Sequence, residues 1–99
     1  MFTRLPSGRA VKSSDGFSVE RLGSPLTQFI IRYSEGEHIL EYPLENLMPG
    51  ASDRIYIGRI GPWKEPYQDE VLNEKHKRLI SDRIREAMDF LGDAIQVVD

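Results

Sequence analysis

The chain has 99 residues, with 13 Lys and Arg against 16 Asp and Glu, for a formal net charge of -3. It holds no cysteine and only two histidines, His38 and His76, which excludes a disulfide framework, a thiolate metal site and a His-rich metal centre. The acidic balance disfavours a strongly basic nucleic-acid binder, and no apolar run approaches the roughly 18 residues that span a bilayer.

This length predicts a single domain over 1–99. Leu, Ile, Val and Phe number 27 of 99, above the roughly 20% below which charged chains stay disordered, so one modest core is expected. The segment Met1–Pro6 lacks the apolar stretch of a secretory signal, which points to the cytoplasm.

In chain order, residues 1–9 contain Pro6, Ser7 and Gly8 and read as a loose lead-in, followed by β-hairpins over 10–60. Arg9–Lys12 reads as a short strand. Ser13-Ser14-Asp15-Gly16 reads as a tight turn, because Asp-Gly supplies the positive φ that a hairpin needs. Phe17–Arg21 alternates apolar and polar as a half-buried strand does, and Gly23-Ser24-Pro25 ends it. Thr27–Tyr33 places Phe29, Ile31 and Tyr33 on one face. Glu37–Leu44 places His38, Leu40, Tyr42 and Leu44 on one face, with Glu37, Glu41 and Glu45 opposite. The turn Ser34-Glu35-Gly36 between them makes an antiparallel hairpin. Pro49-Gly50 marks a loop. Asp53–Ile60 reads as a strand in which Ile60 breaks the parity of Ile55 and Ile57, with Gly58 as a candidate β-bulge.

Residues 61–72 form a Pro/Trp loop, since Gly61, Pro62 and Pro66 forbid regular structure around Trp63. A helix over 73–91 follows from the spacing of Leu72, Leu79, Ile80, Ile84, Ala87, Met88 and Leu91. Asn73 is its N-cap, Glu74 favours its first turn and pairs with Arg78, and Gly92 stops it. Residues 94–98 read as a short final strand. The predicted class is α+β: a mostly antiparallel sheet of about five strands, with one long amphipathic helix packed on one face and a short last strand.

The patterns that carry catalysis are absent. No serine lies in a Gly-x-Ser-x-Gly turn, and Gly58-x-x-Gly61 runs into Pro62 rather than a helix. His38 and His76 fall on a strand and a helix, and too few ligand types surround them in sequence for a metal site; a partly buried histidine is the simpler role. Arg32, Tyr33, Arg54, Tyr56 and Arg59 mix cations with aromatics, but Glu35, Glu37 and Glu41 on the same hairpin repel phosphate. The expectation is a non-enzyme that takes no cofactor, metal, nucleic acid or membrane.

Charge is segregated. Residues 1–34 carry five basic and two acidic side chains, a sum of +3, whereas 35–53 carry Glu35, Glu37, Glu41, Glu45 and Asp53 and no cation, a sum of -5. Such a segment is either a docking surface for a basic partner or a solvated strand face that discourages aggregation. Trp63, the only tryptophan, is either an interface anchor or a plug between sheet and helix. The candidate contact residues are Glu35, Glu37, Glu41 and Glu45, with Trp63 beside them.

Residues 53–98 resemble the immunity protein 74 family of bacterial polymorphic toxin systems. The resemblance lies in Arg54-Ile55-Tyr56-Ile57, in Pro62-Trp63-Lys64-Glu65-Pro66, in the helical beat of Ile80, Ile84, Met88 and Leu91 with Phe90, and in Gly92-x-x-Ile95-x-Val97. It covers slightly under half of the chain. It implies a cytoplasmic protein that binds and neutralises a cognate toxin by stoichiometric contact, and it carries over no catalytic residue. An acidic strand face suits a toxin with a basic, nuclease-like groove. The alternative is a small non-enzymatic adaptor that pairs through a sheet face or edge.

Overall fold

The computed structural model describes residues 1–6, 8–23, 29–44, 53–93 and 95–99. Strands β1 (Phe2–Arg4), β2 (Ala10–Ser13), β3 (Phe17–Leu22), β4 (Ile30–Glu35) and β5 (His38–Pro43) form one antiparallel meander in chain order. Strand β6 (Asp53–Tyr56), a 3₁₀ turn (Ile57–Arg59), helix α1 (Glu74–Leu91) and strand β7 (Ile95–Val98) complete the chain. The α+β class and the helix on one sheet face are as expected.

Two turns set the register. Gly16 takes φ +93° between β2 and β3, while Ser13 Oγ accepts from Asp15 N at 3.0 Å. Between β4 and β5 the loop is the two residues Gly36-Glu37, with Glu35 facing His38. Positive φ falls on Gly36 (+59°) alone, as in hairpin turns that want glycine first. The resulting register aligns Val11, Val19, Tyr33 and Leu40 across four strands, all fully buried. The adjacent row on the opposite face aligns Glu20, Arg32 and Glu41, whose charges alternate and pair. One residue of slip would exchange these rows between core and water.

Helix α1 covers the apolar row. Asn73 Oδ1 accepts from His76 N at 2.7 Å, as an N-cap does. Gly92 ends the helix at φ +89°, and Asp93 N returns to Met88 O at 2.9 Å. Glu74 and Arg78 pair at 3.0 Å. Ile80, Ile84, Ala87 and Met88 enter the core. Leu79, expected in the stripe, is instead 45% exposed, because the buried arc centres on Ile80, Ile84 and Met88, and Leu79 lies a quarter-turn off it.

Three local expectations are corrected. The lead-in is not loose throughout: Phe2–Arg4 pairs with β2, and Phe2 packs on Phe17 and Phe90. The segment after β6 is not a bulged strand but a 3₁₀ turn closed by Ile60 N to Ile57 O at 3.2 Å. A three-residue period lets Ile57 and Ile60 both point inward, which removes the parity conflict. The turn of the second hairpin is Gly36-Glu37 rather than Ser34-Glu35-Gly36, because Ser34 and Glu35 continue β4. The short final strand is present as β7, which pairs in parallel with β6 as a separate two-stranded sheet. The Gly23-Ser24-Pro25 turn lies partly, and the Pro49-Gly50 loop and Glu45 wholly, outside the described residues.

Strand β5 is the edge of the meander. Leu44 N bonds Phe29 O at 2.9 Å, so alternate residues Ile39, Glu41 and Pro43 direct their backbone groups outward. Pro43 has no N–H to leave unpaired there. The segment after Gly61 crosses beside this edge, and Lys64 N donates to Ile39 O at 2.7 Å.

Candidate functional site

The end of the meander that carries the Gly36-Glu37 turn gathers residues from β4, β5, the 61–72 segment and the first turn of α1. Side-chain alternation directs Tyr33, Glu35, His38 and Leu40 toward the helix. The helical spacing Leu72, His76, Ile80 brings His76 to the same gap from the other side.

Trp63 fills that gap and is 4% exposed. Its ring lies 6.3 Å from Tyr33 (27° between planes), 5.1 Å from His38 and 5.8 Å from His76, the last two edge-on. His38 also stacks on Tyr67 at 3.8 Å. Trp63 is therefore the plug between sheet and helix, one of the two roles expected for it, and is not an exposed anchor. Its flat indole closes a space bounded by three other aromatic rings, those of Tyr33, His38 and His76.

Around this centre sit three carboxylates held by hydroxyl and imidazole donors. Glu35 Oε1 accepts from the Tyr33 hydroxyl at 3.0 Å and faces His76 Nε2 at 2.9 Å. Glu37 Oε2 accepts from the Tyr67 hydroxyl at 2.8 Å. Glu70 Oε2 lies 2.7 Å from His38 Nε2. An ionised carboxylate only accepts, so each imidazole presents an Nε2–H to its partner. Arg83 Nη1 donates to the Tyr33 oxygen at 2.9 Å, which completes a chain Arg83, Tyr33, Glu35, His76. Burial pushes the Tyr33 hydroxyl up to about 12, with Arg83 opposing and Glu35 adding to the rise. The bond to Glu37 holds Tyr67 above its ordinary value as well.

Glu41 is placed differently. It lies on the opposite sheet face, 3.0 Å from Arg32 Nη2 and 2.8 Å from Lys64 Nζ. The Lys64 contact, helped by Arg32 and opposed by burial, holds its carboxyl below the ordinary value. The acidic segment is thus divided: Glu35 and Glu37 meet at the hairpin end, Glu41 is matched by cations behind it, and Glu45 lies outside the described residues.

Sequence reasoning missed Glu70, Tyr67 and Arg83 as members of this group. It also treated His38 and His76 as unrelated, although strand parity and the helical stripe aim both at the same gap. Two hollows, of about 90 and 250 Å³, lie elsewhere, and neither is lined by a histidine. Among the described residues, no three His, Cys, Asp or Glu side chains are grouped to hold a metal ion, and no helix is long and apolar enough to cross a membrane. No protein-family model, curated protein or solved structure matches the chain.

Proposed function

We propose that this chain acts by stoichiometric binding to a partner protein, as an immunity protein that neutralises a cognate toxin. One observation carries the binding mode. Glu35, Glu37 and Glu70 are fixed at one end of the molecule by Tyr and His donors rather than by Lys or Arg. A tyrosine hydroxyl or a neutral imidazole orients a carboxylate without cancelling its charge, whereas the two cations on Glu41 cancel it. An oriented, mainly acidic surface speeds encounter with a basic partner and rejects acidic ones. The resemblance of residues 53–98 to the immunity protein 74 family supplies the biological setting, with a basic, nuclease-like toxin as the partner.

The test is co-expression with the toxin candidate encoded beside this chain. Rescue of growth and a co-purifying complex are expected. Glu37→Lys with Glu70→Lys is expected to slow association and remove most of its salt dependence. Full rescue with unchanged association rate and salt dependence would refute the acidic contact surface; no rescue and no complex would refute the immunity role.

A further inference from the structure

The segment 61–72 has the form of an Ω-loop. Its two ends meet, since a Cβ placed on Gly61 would lie 2.8 Å from Leu72 Cδ1. Between these ends the chain makes no strand or helix, yet it is fastened to β5 in an ordered way. Lys64 N bonds the Ile39 carbonyl on the open edge, Lys64 Nζ pairs with Glu41, and Trp63, one residue earlier, enters the aromatic gap. Tyr67 and Glu70 then return to Glu37 and His38.

Each of these contacts is one that an added strand would make. A main-chain N–H to an edge carbonyl is the unit of strand addition, a lysine against Glu41 is a cross-strand ion pair, and an aromatic residue beside it fills a pocket on the other face. Adjacent residues of an extended chain point to opposite faces, and here Trp63 points to the helix face while Lys64 points to the Glu41 face. The loop's own Trp-Lys pair thus occupies β5 as a resident strand fragment. The closed base at Gly61 and Leu72 lets the loop leave without displacing the 3₁₀ turn or α1.

We infer that the 61–72 loop is a removable cover, and that the β5 edge beneath it receives an extended partner segment carrying an aromatic residue followed by Lys or Arg. Loss of the loop strips Glu41 of Lys64, Glu37 of Tyr67 and His38 of Glu70. The edge that remains is bordered by Glu37 and by Glu41, which then keeps Arg32 as a partner, and their carboxylates match a basic segment. This inference rests on the reading of the chain as a partner-binding protein and names how the partner is held.

The test needs no toxin. The Trp63→Ala, Lys64→Ala double variant contains no tryptophan, so a synthetic peptide of residues 61–70 brings the sole indole. Saturable binding with a blue shift of its emission is expected. The same peptide with glutamate at its lysine position is expected to bind about two- to fivefold more weakly, the scale of one exposed ion pair. A folded variant with no saturable shift would overturn the inference. If the variant does not fold, hydrogen exchange of the unaltered chain decides. A Lys64 amide that opens well before those of Val19 and Tyr33 supports a removable cover, and one that opens only with them overturns it. Peptide binding without toxin rescue would refute the immunity role and leave this inference standing; the reverse result would do the opposite.

Discussion

The Tyr33 hydroxyl offers the sharpest check on the electrostatics of the site. Tyr33→Phe keeps the ring against Phe17 and Trp63 and removes only the oxygen that Arg83 donates to and Glu35 accepts from. At neutral pH the loss of a buried hydrogen-bonding group with charged neighbours is expected to destabilise by about 1–3 kcal/mol. For a chain of this size that lowers Tm by roughly 4–8 °C per kcal/mol. A second effect appears in alkali. The folded hydroxyl titrates near 12 against 10.0 for an ordinary tyrosine, a rise caused first by burial. A raised value means that folding favours the protonated form. Its contribution is complete below pH 10 and is lost as pH climbs through 12. Two pK units set an upper bound of about 2.7 kcal/mol, and solvent reaching the neighbouring Glu35 reduces it to about 1–2 kcal/mol. Urea unfolding followed by circular dichroism at pH 7, 9, 10 and 11 measures this. Wild type is expected to lose stability faster than Tyr33→Phe above pH 10, so the gap between them narrows. Tyr67 titrates in the same direction in both proteins and cancels in the difference. A gap that stays constant from pH 7 to 11 would refute the buried, network-bound hydroxyl.

Two further outcomes follow from named contacts. Asn73→Ala removes the cap on His76 N and is expected to cost about 0.5–2 kcal/mol, with faster amide exchange confined to the first turn of α1; no change in either would remove Asn73 as the cap. Glu41→Gln breaks the pairs with Lys64 and Arg32, for about 0.2–1 kcal/mol at pH 7. Because Glu41 is depressed below 4.5, its contribution is present above that pH and is lost as pH falls through the folded value, so wild type and variant should converge in strong acid. A difference that persists there would show that Glu41 acts through packing rather than charge.

What was legible in the sequence was local. Period-2 alternation gave the faces of β3 and β5, Asp15-Gly16 gave the first turn, Gly36 marked the second to within two residues, and Asn73 and Gly92 gave both ends of α1. Each of these signals is decided within a few residues. The failures came where a different period or a distant partner decides. Ile57 and Ile60 conflict only while the segment is read as a strand, because a 3₁₀ turn places them on one side. Phe2–Arg4 carries little apolar pattern of its own, and its pairing with β2 and the packing of Phe2 on Phe17 and Phe90 make it a strand. Strand β7 was legible as a strand, but its parallel partner β6 lies some forty residues away, and no local signal names that partner.

The site was harder to read for the same reason, and its chemistry shows why composition misleads. Glu35 and His76 are 41 positions apart, and His38 and Glu70 are 32 apart. The acidic segment 35–53 was visible as a count, but a count cannot separate Glu37, whose partner is a hydroxyl, from Glu41, whose partners are two cations. Only the first leaves its charge for another molecule while the loop is closed. Of the two cations on Glu41, Arg32 belongs to β4 and Lys64 to the loop that also seats Trp63 beside the β5 edge. The two features weighed separately in the sequence, the acidic hairpin and the lone tryptophan, are therefore one device. The tryptophan need not be exposed to matter for binding, because leaving its seat is the step that would free Glu41 from Lys64 and Glu37 from Tyr67.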